Sequence, residues 1–99
     1  MVVEVAILEA KPGEAENLRK GLTAARAIIS QAKGYLDSNF LQGVEDPNRF
    51  VLYIKWQTLE DHTTGFRQGP LFPEWRAQWA QFMTGTPNVQ HFQVFAGGE

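Results

Sequence analysis

The sequence predicts one α+β domain of the ferredoxin-like kind, a βαββα(α)β chain whose four-stranded antiparallel sheet carries its helices on one face. Three observations lead there. Residues 50–57 alternate with the two-residue period of a strand, residues 13–32 carry apolar side chains at the 3.6-residue period of a helix, and Gly/Pro breakers divide the rest into short segments. The length of 99 residues supports one core, so residues 1–99 form a single domain.

The elements follow in order. Residues 2–8 are rich in β-branched side chains and stop at Lys11-Pro12-Gly13, a strand followed by a breaker. In the helix over 13–32, Leu18, Leu22, Ala25, Ile29 and Ala32 form one buried stripe, and Gly34 ends it with a left-handed cap. Residues 35–41 read as a strand, and Glu45-Asp46-Pro47-Asn48 as a turn. In the strand over 50–57, Phe50, Leu52, Ile54 and Trp56 share one face. Thr58 caps a short helix with Leu59, His62 and Phe66 on its inner side, and Asp61 completes a short capping box. Gly69-Pro70 breaks that helix. A third helix starts near Pro73 with Phe72, Trp75, Trp79, Phe82 and Met83 in one stripe, and Gly85-Thr86-Pro87 terminates it. Residues 89–95 make the last strand, and Gly97-Gly98-Glu99 is a loose tail. One sheet face is left uncovered, with Tyr35, Val51 and Tyr53 on it, so a homodimer is expected.

Composition narrows the function classes. Net charge is −2 with no basic run, which gives nucleic acid nothing to bind. There is no Cys, and no His-x-His or Glu-x-x-His pair, so no metal site is expected. No apolar run approaches the length of a membrane span, and the chain reads as cytoplasmic. Aromatics make up 12% of the residues, which suggests an aromatic-lined cavity for an apolar ring, a dimer interface, or both.

Residues 45–56, Glu-Asp-Pro-Asn-Arg-Phe-Val-Leu-Tyr-Ile-Lys-Trp, resemble the D-P-x-R-F-V-L-Y-E-x-W segment of the antibiotic biosynthesis monooxygenase family. The layout through Phe66 and Phe72 to the closing strand is similar as well. The resemblance implies a dimeric α/β barrel with a ligand cleft between sheet and helices. It also implies one of several chemistries: cofactor-independent oxygenation of aromatic polyketides, quinol oxidation, haem degradation or isomerisation. In the anthrone-oxidising branch a strand Trp works with an Asn four residues before it, a Tyr six after and an Arg twenty after. Trp56 and Arg76 match, while Leu52 takes the Asn position and His62 the Tyr position. The haem-degrading branch needs an Asn, a Trp and a His where this chain has Ala6, Gly65 and Trp75.

The candidate catalytic residues are therefore His62, Trp56 and Arg76, with Leu52, Phe66, Phe72 and Trp75 against the substrate. His62 titrates near neutral pH and suits proton transfer, or is a hydrogen-bonded core residue. Trp56 is a platform for a flat ring, or a core anchor. Arg76 binds an oxyanion, or pairs with Glu74 at the surface. Three functions follow. One is a monooxygenase that needs no cofactor and acts on a hydroquinone- or polyketide-like aromatic. The others are a non-oxidative isomerase or cyclase, and a dimeric module that binds an apolar metabolite without turnover. Glu4 and His91 are assigned to outer strands with no role.

Overall fold

A computed structural model describes residues 1–97. The chain forms strand β1 (Val2–Ala10), helix α1 (Ala15–Ile29), strands β2 (Tyr35–Gln42) and β3 (Arg49–Trp56), and a π-helical turn (Asp61–Phe66). Helix α2 (Leu71–Ala77), a 3-10 turn (Ala80–Phe82) and strand β4 (Met83–Phe92) complete it. The strands pair antiparallel in the order β2-β3-β1-β4.

Alternation along the strands decides which side chains meet the helices. From β1 these are Glu4, Ala6, Leu8 and Ala10, and from β3 Phe50, Leu52, Ile54 and Trp56, all buried. They pack against Leu18, Leu22, Ala25 and Ile29 of α1, and against Phe66, Trp75, Trp79 and Met83. The predicted α1 stripe is thus the core stripe. The helix itself is shorter than 13–32: beyond Ile29 the chain tightens, with Gln31 N–H bonding to Ile28 O and Ala32 N–H to Ile29 O. Gly34, at φ +85°, reverses the chain into β2, and the Asp61 side chain lies over its Cα where a Cβ would stand.

Several expectations are corrected. Tyr35 lies on the helix side of the sheet, edge-on to Trp56 at 6.2 Å, with its hydroxyl 2.6 Å from Ser38 Oγ. A register shift between Tyr35 and Asp37 turns it inward. The second helix is a π-helical turn; Thr58 Oγ1 caps it by accepting the Asp61 N–H at 3.1 Å. His62 and Phe66 point inward from it, whereas Leu59 precedes the turn and is 40% exposed. The third helix ends at Ala77, and β4 runs over Met83–Phe92 rather than 89–95. Gly85-Thr86-Pro87 lies inside β4: Ile7 pairs with Asn88 but Glu9 with Thr84, so β4 carries two extra residues there. An edge strand tolerates this, because a Pro on its outer side removes no ladder hydrogen bond. Gly98 and Glu99 of the predicted tail lie outside the described residues.

The other sheet face carries Val5, Ile7, Val51 and Tyr53, all half-buried, with Leu41 and Phe92 at its margins. An Arg49–Glu9 pair at 2.8 Å closes one end of it.

Helix α1 approaches the end of α2 at Gly21, where an added methyl would meet the Gln78 carbonyl. This close approach sets α2 at its height over the sheet. Gly21→Ala is expected to lower stability by about 1–3 kcal/mol, as overpacking does. Urea titration of the variant against wild type measures it; an unchanged midpoint would show that α2 moves without cost.

Candidate functional site

The site begins at one end of the sheet, where β1, β3 and β4 lie side by side. Glu4 is the register partner of Ile54 on one side and of His91 on the other. Trp56, at the end of β3, faces inward from the same side and donates its indole N–H to Glu4 Oε1 at 3.0 Å. The π-helical turn lowers His62 onto this group. Its Nε2 lies 3.3 Å from the same Glu4 oxygen, and its Nδ1 lies 2.8 Å from His91 Nε2. The His62 ring stacks on Trp56 at 5.2 Å and 22°. Phe66 holds the other side of this stack, 5.7 Å from Trp56 and 6.3 Å from His62.

Burial governs the charge of this cluster. Glu4 is 2% exposed and His62 3%. Desolvation raises the Glu4 carboxyl from 4.5 to about 7, against the lowering effects of the Trp56 hydrogen bond and the Arg67 charge. Desolvation lowers His62 from 6.5 to about 3, helped by Arg67 and His91. His91, half-buried, is also lowered, by desolvation and then by Arg67. At neutral pH both imidazoles are neutral and Glu4 stands at the middle of its titration. The Glu4–His62 contact, at 3.3 Å, is thus a polar contact to a neutral imidazole rather than a pair of full charges.

Beside the cluster opens a cavity of about 390 Å³ between sheet and helices, within the range of small-molecule sites. Ala6, Leu8 and Val89 form its floor, and Phe72, Trp75 and Trp79 its aromatic wall. Glu4, His62 and His91 stand at one side, and Arg67 and Arg76 supply positive charge. Both arginines are exposed and neither makes an ion pair among the described residues. The indole N–H groups of Trp75 and Trp79 are buried without hydrogen-bond partners among the described residues. The two rings meet edge-to-face at 4.8 Å, and Phe66 meets Trp75 likewise at 5.4 Å. Such geometry gives a buried N–H only the weak alternative of a ring face. A recess of about 470 Å³ lies by the end of α1, lined by Lys33, Glu60, Asp61 and Phe66 among others. None of its three charged side chains is buried, unlike Glu4 and His62 of the first cavity.

Of the residues singled out in the sequence, His62, Arg76, Phe72 and Trp75 line the cavity together. Trp56 and Leu52 are fully buried and form none of its lining. The Trp56 N–H is engaged by Glu4, so the ring serves as the backing of His62. Phe66 packs behind His62 and faces the recess instead. Arg76 has no bond to Glu74 among the described residues. Glu4, His91, Arg67 and Trp79 were not expected at the site. For Glu4 a signal was present, since it shares the parity of Ala6 and Leu8 and so faces the helices.

The buried carboxyl makes stability depend on pH in a definite direction. Between about pH 4.5 and 7 the folded chain holds a proton on Glu4 that the unfolded chain has released, so this group weakens the fold as pH rises. His62 acts oppositely between about pH 3 and 6.5, where only the unfolded chain takes the proton. The two slopes offset where they overlap. Glu4→Gln removes only the first, so the variant should gain on wild type by up to about 3 kcal/mol as pH rises from about 5 to about 8. Urea melts at the two pH values measure the difference; a pH-independent gap would mean that Glu4 is not a buried, titrating carboxyl.

The chain matches the antibiotic biosynthesis monooxygenase family over residues 1–78. It is 39% identical to YczJ of Bacillus subtilis (strain 168) over 93 residues, covering 94% of this chain and 98% of that protein. A crystal structure from Bordetella bronchiseptica bearing the same family name superposes with a TM-score of 0.91 at 28% identity, covering 96% of this chain and 97% of that one. SnoaB of Streptomyces nogalater, a cofactor-independent oxygenase, superposes with a TM-score of 0.83 at 14% identity, covering 97% and 94%; at that identity the likeness is one of fold. With its sheet order, its helix-covered cleft and this profile match, the protein belongs to the antibiotic biosynthesis monooxygenase family.

Proposed function

We propose that this protein is a cofactor-independent monooxygenase acting on an aromatic small molecule of hydroquinone or polyketide type, as a cytoplasmic homodimer. The observation that carries the reading is the Glu4–His62–His91 chain, buried at its Glu4 end, opening on an aromatic-walled cavity that also holds two arginines with no ion pair among the described residues. A hydroquinone or anthrone becomes electron-rich when deprotonated and itself passes an electron to O₂. Recombination of the radical pair forms the C–O bond, and loss of water leaves a carbonyl. Such a reaction asks the protein to remove a proton, hold the anion and exclude bulk water.

The site residues divide these tasks. His62 assists proton removal, Arg76 with Arg67 holds the developing oxyanion, and Phe72 and Trp75 flank the ring. Trp56 is a positioning residue, acting through the stack on His62 and the bond to Glu4. Leu52 and Phe66 support the site from behind. Family membership supports an oxygenase on this scaffold; the substrate class rests on the cavity alone.

Oxygen consumption with a panel of anthrones and naphthohydroquinones tests the function. Uptake should exceed the spontaneous rate and fall about 100-fold in His62→Ala. Trp56→Phe should keep part of the rate while moving its pH profile upward, because Glu4 loses the hydrogen bond that lowers its pKa. No uptake, with ligand still quenching Trp fluorescence, would turn the assignment to the isomerase or the binding module.

The dimer is expected through the open sheet face, where Val5, Ile7, Val51 and Tyr53 form an apolar band. Sedimentation equilibrium at micromolar concentration should give twice the 11.2 kDa chain mass. A monomeric mass overturns it.

A further inference from the structure

We propose that His91 is the group that takes the proton from the bound molecule, that His62 relays it, and that Glu4 is where it comes to rest. The oxidative reading above enters only in what becomes of the anion afterwards.

The argument starts from hydrogen-bond direction. An ionised Glu4 attracts an N–H and repels a lone pair, so it favours a neutral His62 with its proton on Nε2, the nitrogen 3.3 Å from Glu4 Oε1. That leaves His62 Nδ1 with a lone pair, which accepts from His91 Nε2–H at 2.8 Å. A neutral His91 then has its free lone pair on Nδ1, the one nitrogen of the chain with no partner among the described residues. The carboxylate at the inner end thus sets both tautomers and leaves a base at the outer end, on a residue that lines the cavity.

The proton balance closes without a co-reactant. The substrate O–H or C–H bond breaks and an N–H bond forms at His91 Nδ1. The His91 Nε2 proton passes to His62 Nδ1, and the His62 Nε2 proton passes to Glu4. Three neutral groups and a substrate anion remain, and no imidazolium is stored. The negative charge has moved from the protein interior to the cavity, where Arg67 and Arg76 lie. The charged and titratable groups around the chain are those of the cavity: Glu4 from β1, His62 and Arg67 from the π-helical turn and its end, Arg76 from α2 and His91 from β4. Burial and Arg67 both disfavour a proton on either imidazole, and burial favours one on Glu4, so the resting place is the carboxyl. The family match ends before β4, so His91 is a feature of this chain outside the matched span.

Nitrogen-15 NMR of histidine-labelled protein reads the relay without any substrate. As pH falls through neutral, both rings should exchange the Nε2–H tautomer for the Nδ1–H tautomer in one step and remain neutral. In Glu4→Gln that step should vanish, with both rings held as Nε2–H. An imidazolium at either position in that range, or tautomers that change independently of Glu4, would overturn the relay. A second arm uses anthrone under nitrogen and follows exchange of its acidic hydrogens with deuterium oxide. Wild type should accelerate exchange, and His91→Gln, which keeps a donor for His62 but offers no base, should lower it about 100-fold. Undiminished exchange in that variant would remove His91 as the acceptor. Exchange without oxygen uptake in air would refute the oxygenase and uphold the base.

Discussion

The Glu4 carboxyl is the constraint on which the site depends. A carboxylate taken out of water costs several kcal/mol unless hydrogen bonds and nearby charge offset the loss. Glu4 receives one N–H from Trp56 and a second contact from His62. Each of those partners is itself immobilised: Trp56 by Tyr35 edge-on and Phe66 at its face, His62 by the stack on Trp56 and the bond to His91. The aromatic cluster is therefore both hydrophobic core and the scaffold that fixes an indole donor and an imidazole nitrogen on one oxygen.

That dependence explains the irregular backbone around the site. A π-helical turn carries one residue more per turn than an α-helix, and such turns are frequent at functional sites. Here it brings His62 and Phe66 to the same side, one over the carboxyl and one behind it. The two extra residues in β4 do similar work. They restore pairing with β1 after Pro87, so that Asn88 to Phe92 run in register and His91 stands opposite Glu4.

The sheet and α1 were legible because their burial follows local periodicity, which the sequence displays directly. Leu18, Leu22, Ala25 and Ile29 announce a stripe, and Phe50 to Trp56 alternate cleanly. The start of β4 was hidden because Gly85-Thr86-Pro87 has the composition of a terminator, and only the neighbouring strand reveals it as an insertion within an edge strand. The site was half legible for the same reason. His62 showed itself by pointing inward from a capped turn, and Arg76 only through the family resemblance, which places an Arg twenty residues after the strand Trp. Glu4 and His91 have no motif around them. Their meeting is a matter of strand register between opposite ends of the chain, and register is not written at either end.

The position of Leu52 gives this arrangement its wider sense. It is fully buried on β3 and adds neither a polar atom nor a wall to the cavity. A polar side chain there would be desolvated with no water to reach it. Polar atoms instead enter from β1, β4 and the turn between β3 and α2, while β3 supplies the indole that steadies them. Reactivity in such a cavity is then set less by the ring-binding wall than by how well β1 and β4 hold Glu4 and His91 opposite one another. A slip of one residue in that pairing would turn one of the two to the open face of the sheet and leave His62 bonded at only one of its nitrogens.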